Sequence, residues 1–67
     1  MINAPKVEID YTNWEGERSK RVIIPIGVQY TSNQWHPEPQ WLLIATDVEK
    51  REQRTFAMKD IHAWKNL

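Results

Sequence analysis

Hydrophobic and polar residues alternate strictly over residues 6–12, with Val7, Ile9 and Tyr11 on one side and Glu8, Asp10 and Thr12 on the other. A period of two marks a strand with one buried face, so this segment is predicted to open the fold as a first strand. Asn13-Trp14-Glu15-Gly16-Glu17 then reads as a hairpin loop, because Gly16 adopts positive φ at little cost and Asn13 tolerates turn conformations. Residues 18–30 are rich in β-branched side chains yet contain Pro25 and Gly27, which weaken a ladder and mark a bulge or sharp bend. One long bent strand is expected there. Residues 31–40 are polar and carry Pro37 and Pro39, which predicts a loop holding at most a short extended stretch.

The apolar run Trp41-Leu42-Leu43-Ile44-Ala45 has the length of a central strand covered on both faces, although periodicity alone fits a helix as well. Residues 47–51 form a charged connection, after which Arg54, Phe56 and Met58 alternate with Gln53, Thr55 and Ala57 to complete a second hairpin. Met58, Ile61, Trp64 and Leu67 then recur every third residue. They fit either a helical stripe or a short turn at Lys59-Asp60 followed by a last strand through residues 61–64. Together these elements predict an all-β fold, a small five-stranded, strongly bent antiparallel barrel in which closure protects the strand edges. Its expected core is Val7, Ile9, Ile24, Leu43, Phe56 and Ile61, with Trp41 also inside. The choice of face in the second and fourth strands stays open, because both flanks there are apolar.

Length confines this architecture to a single domain over residues 1–67, with residues 1–5 expected to be a flexible N-terminus. A chain of this size buries only about 60% of the surface its unfolded form exposes, so apolar packing has little in reserve. There is no cysteine, and His36 and His62 are too isolated to suggest a zinc site, so neither a disulfide frame, a metal nor a cofactor is expected. The apolar runs at residues 22–27 and 41–45 fall far short of the roughly 20 residues that cross a bilayer. The first five residues lack the basic start and apolar stretch of a secretory signal, and the expected compartment is the cytoplasm. Net charge is zero but unevenly placed: residues 1–17 hold one lysine and four acids, while residues 18–30 hold three basic groups and no acid. Such a dipolar, neutral chain does not suit a strong, indiscriminate nucleic-acid binder, whose affinity rests on many phosphate contacts.

The order of these features resembles the WYL-domain family, whose fold is similar to Sm and SH3 barrels. The resemblance runs over residues 7–64. It begins with the aromatic-ended strand Ile9-Asp10-Tyr11 and continues through Arg21-Val22-Ile23-Ile24-Pro25, where an arginine precedes a proline by four positions. The motif that names the family falls at Trp41-Leu42-Leu43-Ile44-Ala45, and the closing hairpin at Arg54-Thr55-Phe56-Ala57-Met58-Lys59-Asp60-Ile61. Three departures stand out. Leu42 replaces the central tyrosine of the name motif, Asp60 takes the place of a usual second arginine, and the loop over residues 31–40 is longer than in relatives. The resemblance implies a regulatory module that senses a ligand, in some relatives single-stranded nucleic acid or a nucleotide. Relatives usually carry a DNA-binding winged helix, and no helical pattern precedes residue 57 here, so any action on transcription is expected to pass through another protein.

Arg21 and Arg54 are the leading candidates for chemistry, since a guanidinium offers a planar fork of donors to phosphate or carboxylate. The resemblance implies that both face a common groove, and the candidate aromatic surfaces beside them in this sequence are Tyr30, Trp35 and Tyr11. The alternative is that both arginines are exposed and paired with Glu8, Asp10 or Glu52, an arrangement typically worth about 0 to 1 kcal/mol. Loss of ligand without loss of stability separates the two. Four tryptophans are many for 67 residues, and Trp14 and Trp35 fall in loops where they either stack on a ligand or pin their own loop. Trp35-His36-Pro37-Glu38-Pro39-Gln40-Trp41 reads either as a recognition loop stiffened by proline or as a rigid connection. His36 and Glu38 have no nucleophile to activate, and no phosphate loop or nucleophile elbow is present, so the protein is not expected to be an enzyme. Two functions remain. One is a ligand-sensing module for a nucleotide-like anion or single-stranded nucleic acid. The other is a protein-interaction or homo-oligomeric assembly module using barrel edges or SH3-like grooves. Convergence of Trp14, Trp35 and the arginines in one concave site favours the first, and a flat apolar patch away from them favours the second.

Overall fold

The computed structural model describes residues 5–67. The expected flexible N-terminus lies outside the described residues except for Pro5, which is exposed and precedes the first strand. Five antiparallel strands form one sheet: β1 (Val7–Thr12), β2 (Arg18–Thr31), β3 (Gln40–Asp47), β4 (Glu52–Ala57) and β5 (Ile61–Asn66), ordered β4-β3-β2-β1-β5. The all-β expectation therefore holds, and the run at residues 41–45 is a strand. The first and second hairpins also form as the alternation predicts.

β2 shapes the sheet. Its first half pairs with β1, from Thr12 opposite Arg18 to Val7 opposite Ile23. Its second half pairs with β3, from Ile23 opposite Asp47 to Thr31 opposite Gln40. Between them Pro25 lies opposite Ala45 and Gly27 opposite Ile44, so Ile26 is an extra residue in the ladder. A bulge at a proline, which has no N–H to donate, kinks and twists the strand where the sequence predicts a bend. The sheet curls around this point and encloses one core of Val7, Ile9, Tyr11, Ile23, Leu43, Ala45 and Phe56, with Ile61 packed against it.

The sheet does not close. β4 and β5 are its two borders, joined through a single 3₁₀ turn, Met58–Asp60. That turn ends with the Ile61 N–H bonded to the Met58 carbonyl. Backbone groups used locally in this way are withdrawn from the ladder that would join the two borders, so the expected barrel is realised as a curled open sheet. The same turn decides the C-terminal alternative in favour of turn and strand.

Three core expectations need correction, one of them Ile61, which packs against the core from the start of β5 but is only partly buried. Ile23, not Ile24, is the fully buried residue of β2, because the register sets Ile23 on the face shared by Val7 while Ile24 is only partly covered. Trp41 is 56% exposed. It sits opposite Tyr30 near the end of the β2–β3 pair, two positions beyond the core residue Leu43, and its indole meets Tyr30 edge-on at 5.5 Å. Leu42 and Leu43 are both buried, so the apolar run is covered on two faces only from its second residue.

Phe56 meets the ring of Tyr11 edge-on at 4.9 Å and ties β4 to β1 across the core, although the two strands are not neighbours in the sheet. Phe56→Ala is expected to cost about 3–5 kcal/mol, against a total of about 3–10 kcal/mol for a chain of this length. A urea melt should show a variant unfolded or nearly so in buffer. A midpoint near that of the parent would remove Phe56 from the core.

Candidate ligand-binding concavity

The curl leaves a concavity of about 760 Å³ above the Tyr11–Phe56 contact, within the size range of small-ligand sites. Its floor is those two rings. Burial pushes the Tyr11 phenol up from its ordinary value, in keeping with a ring that packs as floor and does not project. Arg21 and Arg54 both line it. Each stands next to a core residue of its own strand by the period of two, Arg21 two before Ile23 and Arg54 two before Phe56. Strand alternation thus brings two guanidinium groups over the apolar floor from non-adjacent strands.

Each arginine in the concavity has a carboxylate, and the three pairs differ. Arg18 holds Asp10 through two parallel bonds, Nε to Oδ1 at 2.8 Å and Nη2 to Oδ2 at 2.9 Å. Hydrogen bonding by Arg18 keeps the Asp10 carboxyl below its usual range and raises Arg18 in turn. Arg54 donates one bond of 3.2 Å to Glu52, with both side chains well exposed. Arg21 lies 3.5 Å from Oδ2 of Asp47, which is 1% exposed. No hydrogen bond completes that contact. Glu15 and Glu17 also border the space, and Lys50 adds another cation.

The sequence marks Asp47 only as part of a charged connection. Its Oδ1 accepts the Lys50 N–H at 3.1 Å and its carbonyl accepts the Arg51 N–H at 2.8 Å, so it organises the β3–β4 turn, where Arg51 takes a φ of 55°. The legible signal was an aspartate between an apolar strand and a short polar turn, a frequent starter of Asx turns. Its burial beside Arg21 was not legible, since it depends on the β2–β3 register that sets Asp47 opposite Ile23.

Trp14 and Trp35 line the rim, with ring centroids 6.1 Å apart. An asparagine builds each supporting turn. Asn13 Oδ1 accepts the N–H groups of Glu15 and Glu17, both at 2.9 Å, and Gly16 closes that turn at a φ of 84°. Asn33 Oδ1 accepts the N–H groups of Trp35 at 2.9 Å and His36 at 2.8 Å, and His36 is itself buried where it lines the concavity. Of the five residues expected at the site, Arg21, Arg54, Trp35 and Tyr11 come together and Tyr30 does not. Tyr30 stands with Trp41 at the far end of β2, because the bulge at Ile26 carries that half of the strand away. Trp14 takes its place.

A family model for the WYL domain matches residues 1–66. The chain belongs to the WYL-domain family. WYL domains are generally ligand-sensing regulatory modules. Comparison with curated proteins and with solved structures finds no match in either. The departures from the family pattern have defined places in this WYL domain. Leu42 is buried and does not line the concavity, so the loss of the motif tyrosine removes nothing from it. Asp60 belongs to the 3₁₀ turn and is not among the lining residues either. Among the described residues no helix is long and apolar enough to cross a membrane, and no group of three or more His, Cys, Asp or Glu is arranged to hold a metal.

Asp47→Ala should destabilise the domain by about 1–3 kcal/mol, the cost of losing a buried hydrogen-bond acceptor. Asp47→Asn keeps an oxygen for the Lys50 N–H and should recover much of that loss. Thermal melts of the two variants check this, and equal melting temperatures for both would show that the turn bond contributes nothing.

Proposed function

We propose that this WYL domain is a non-enzymatic, cytoplasmic sensor whose concavity binds a nucleotide-like anion, free or as part of a single-stranded nucleic acid. The observation that carries the reading is the convergence of Arg21, Arg54, Trp14 and Trp35 on one concave site. Arg54 is the available anion ligand. Its single bond to an exposed glutamate is worth about 0 to 1 kcal/mol, and an incoming phosphate can replace it at little cost. Arg21 supplies a second fork, fixed in place by Asp47. The carboxylates at the rim and the zero net charge limit attraction at a distance, which supports weak, salt-sensitive binding with few phosphates neutralised.

A second reading has its own observation. Ile26, Val28, Tyr30 and Trp41 are all exposed on the far half of the β2–β3 pair, outside the concavity, and among the described residues the borders β4 and β5 have unpaired outer edges. An apolar patch and open edges suit assembly with a partner or a second copy. Sedimentation over a range of concentrations tests it: self-association abolished by Trp41→Ser supports the patch, and a monomer at all concentrations counts against pairing of copies.

The sensing reading is tested by titrating mononucleotides and short single-stranded oligonucleotides at two salt concentrations. Arg21→Ala is a poor probe, because it strands the buried Asp47 carboxylate and destabilises the fold. Arg54→Ala is the clean one. It should weaken binding about tenfold, as loss of a charge-assisted bond does, with the melting temperature unmoved. Absence of saturable binding at low salt would overturn the sensing function.

A further inference from the structure

The two most exposed tryptophans are also the two that meet. Trp14 is 68% and Trp35 58% exposed, and their planes lie 32° from parallel. Indoles that merely tack two loops together gain by hiding their large area from water. Here most of each ring stays in solvent, so that gain is small. The backbone that carries each ring is nevertheless held in position, since the Asn13 and Asn33 side chains lock the two turns that display them. Rigid supports lower the entropy cost of capturing a ligand. A planar ring stacked on both faces needs a separation of about 7 Å, twice the roughly 3.4 Å repeat of stacked bases. The indole centroids stand 6.1 Å apart with their planes tilted by 32°, so a base enters as the two rings open and rotate about their own broad side-chain torsions.

We infer that Trp14 and Trp35 form a clamp that takes one planar heteroaromatic ring between them, the base of the ligand whose phosphate Arg21 and Arg54 hold. This rests on the sensing function proposed above and adds to it how the base is recognised. Stacking reads ring area and not hydrogen-bonding edges. The clamp therefore prefers purines to pyrimidines and tolerates either purine.

The test is calorimetric titration of the full chain with AMP, ribose 5-phosphate and adenosine. AMP should bind about tenfold more tightly than ribose 5-phosphate, the increment expected of a stacked base. Trp14→Ala and Trp35→Ala should each shrink that gap, weakening AMP by a larger factor than ribose 5-phosphate. Trp35→Phe should retain more of the gap than Trp35→Leu, which a role in loop packing alone would not produce. Insertion of the base should also collapse the far-ultraviolet circular dichroism couplet of the indole pair. Equal affinity for AMP and ribose 5-phosphate in the parent, or a gap that survives both alanine variants, overturns the clamp and leaves the arginine site standing. Adenosine binding that depends on the tryptophans, without any gain for AMP through Arg54, supports the clamp and overturns the anion site. No binding of any of the three overturns both.

Discussion

Pro25 donates nothing to the ladder between β2 and β3, and Ile26 has no partner across it, so β2 turns where a regular strand would run on. The curl that follows lets a single sheet bury apolar side chains against itself. Without it, β1 and β4 would lie on a flat sheet with β2 and β3 between them, and Tyr11 would not reach Phe56. A flat five-stranded sheet of this length would have no second layer to cover its apolar face. The concavity has the same origin, because its floor and both arginines are brought over one another by the bend.

The three arginine–carboxylate pairs around that concavity are graded in how tightly they are closed. Arg18 and Asp10 are joined by two short parallel bonds, a geometry that favours both charged forms and holds both groups in place. Asp47 is buried and committed to the β3–β4 turn, so it fixes Arg21 without satisfying it. Arg54 has one exposed partner. A neutral domain can in this way keep a local capacity for anions while presenting little net field to the surroundings, since exposed charges beyond about 10 Å are screened at ordinary salt.

Much of this was legible in the order of residues. Alternation at residues 6–12 and 53–58 determined two strands, the proline and glycine at positions 25 and 27 determined the bend, and Asn13 with Gly16 determined the first turn. All are local effects, set by period, by a missing N–H or by tolerance of positive φ. The pairing of arginines with a floor of core rings was partly legible too, because residues two apart on a strand share a face.

What only the tertiary structure decided is everything that depends on register across the sheet and on where the curl stops. Ile23 and Ile24 are equally apolar, and only the alignment with Val7 selects the first for the core. Trp41 has the composition of a core residue but falls beyond the enclosed length of β3, and Tyr30 is carried with it away from the arginines. Asp47 becomes buried because its register partner is a core isoleucine. The meeting of Trp14 and Trp35 joins two loops that no local pattern connects. Local chemistry determined the strands and turns of this protein, whereas the contacts that define its site arise from long-range packing, which no short stretch of sequence encodes.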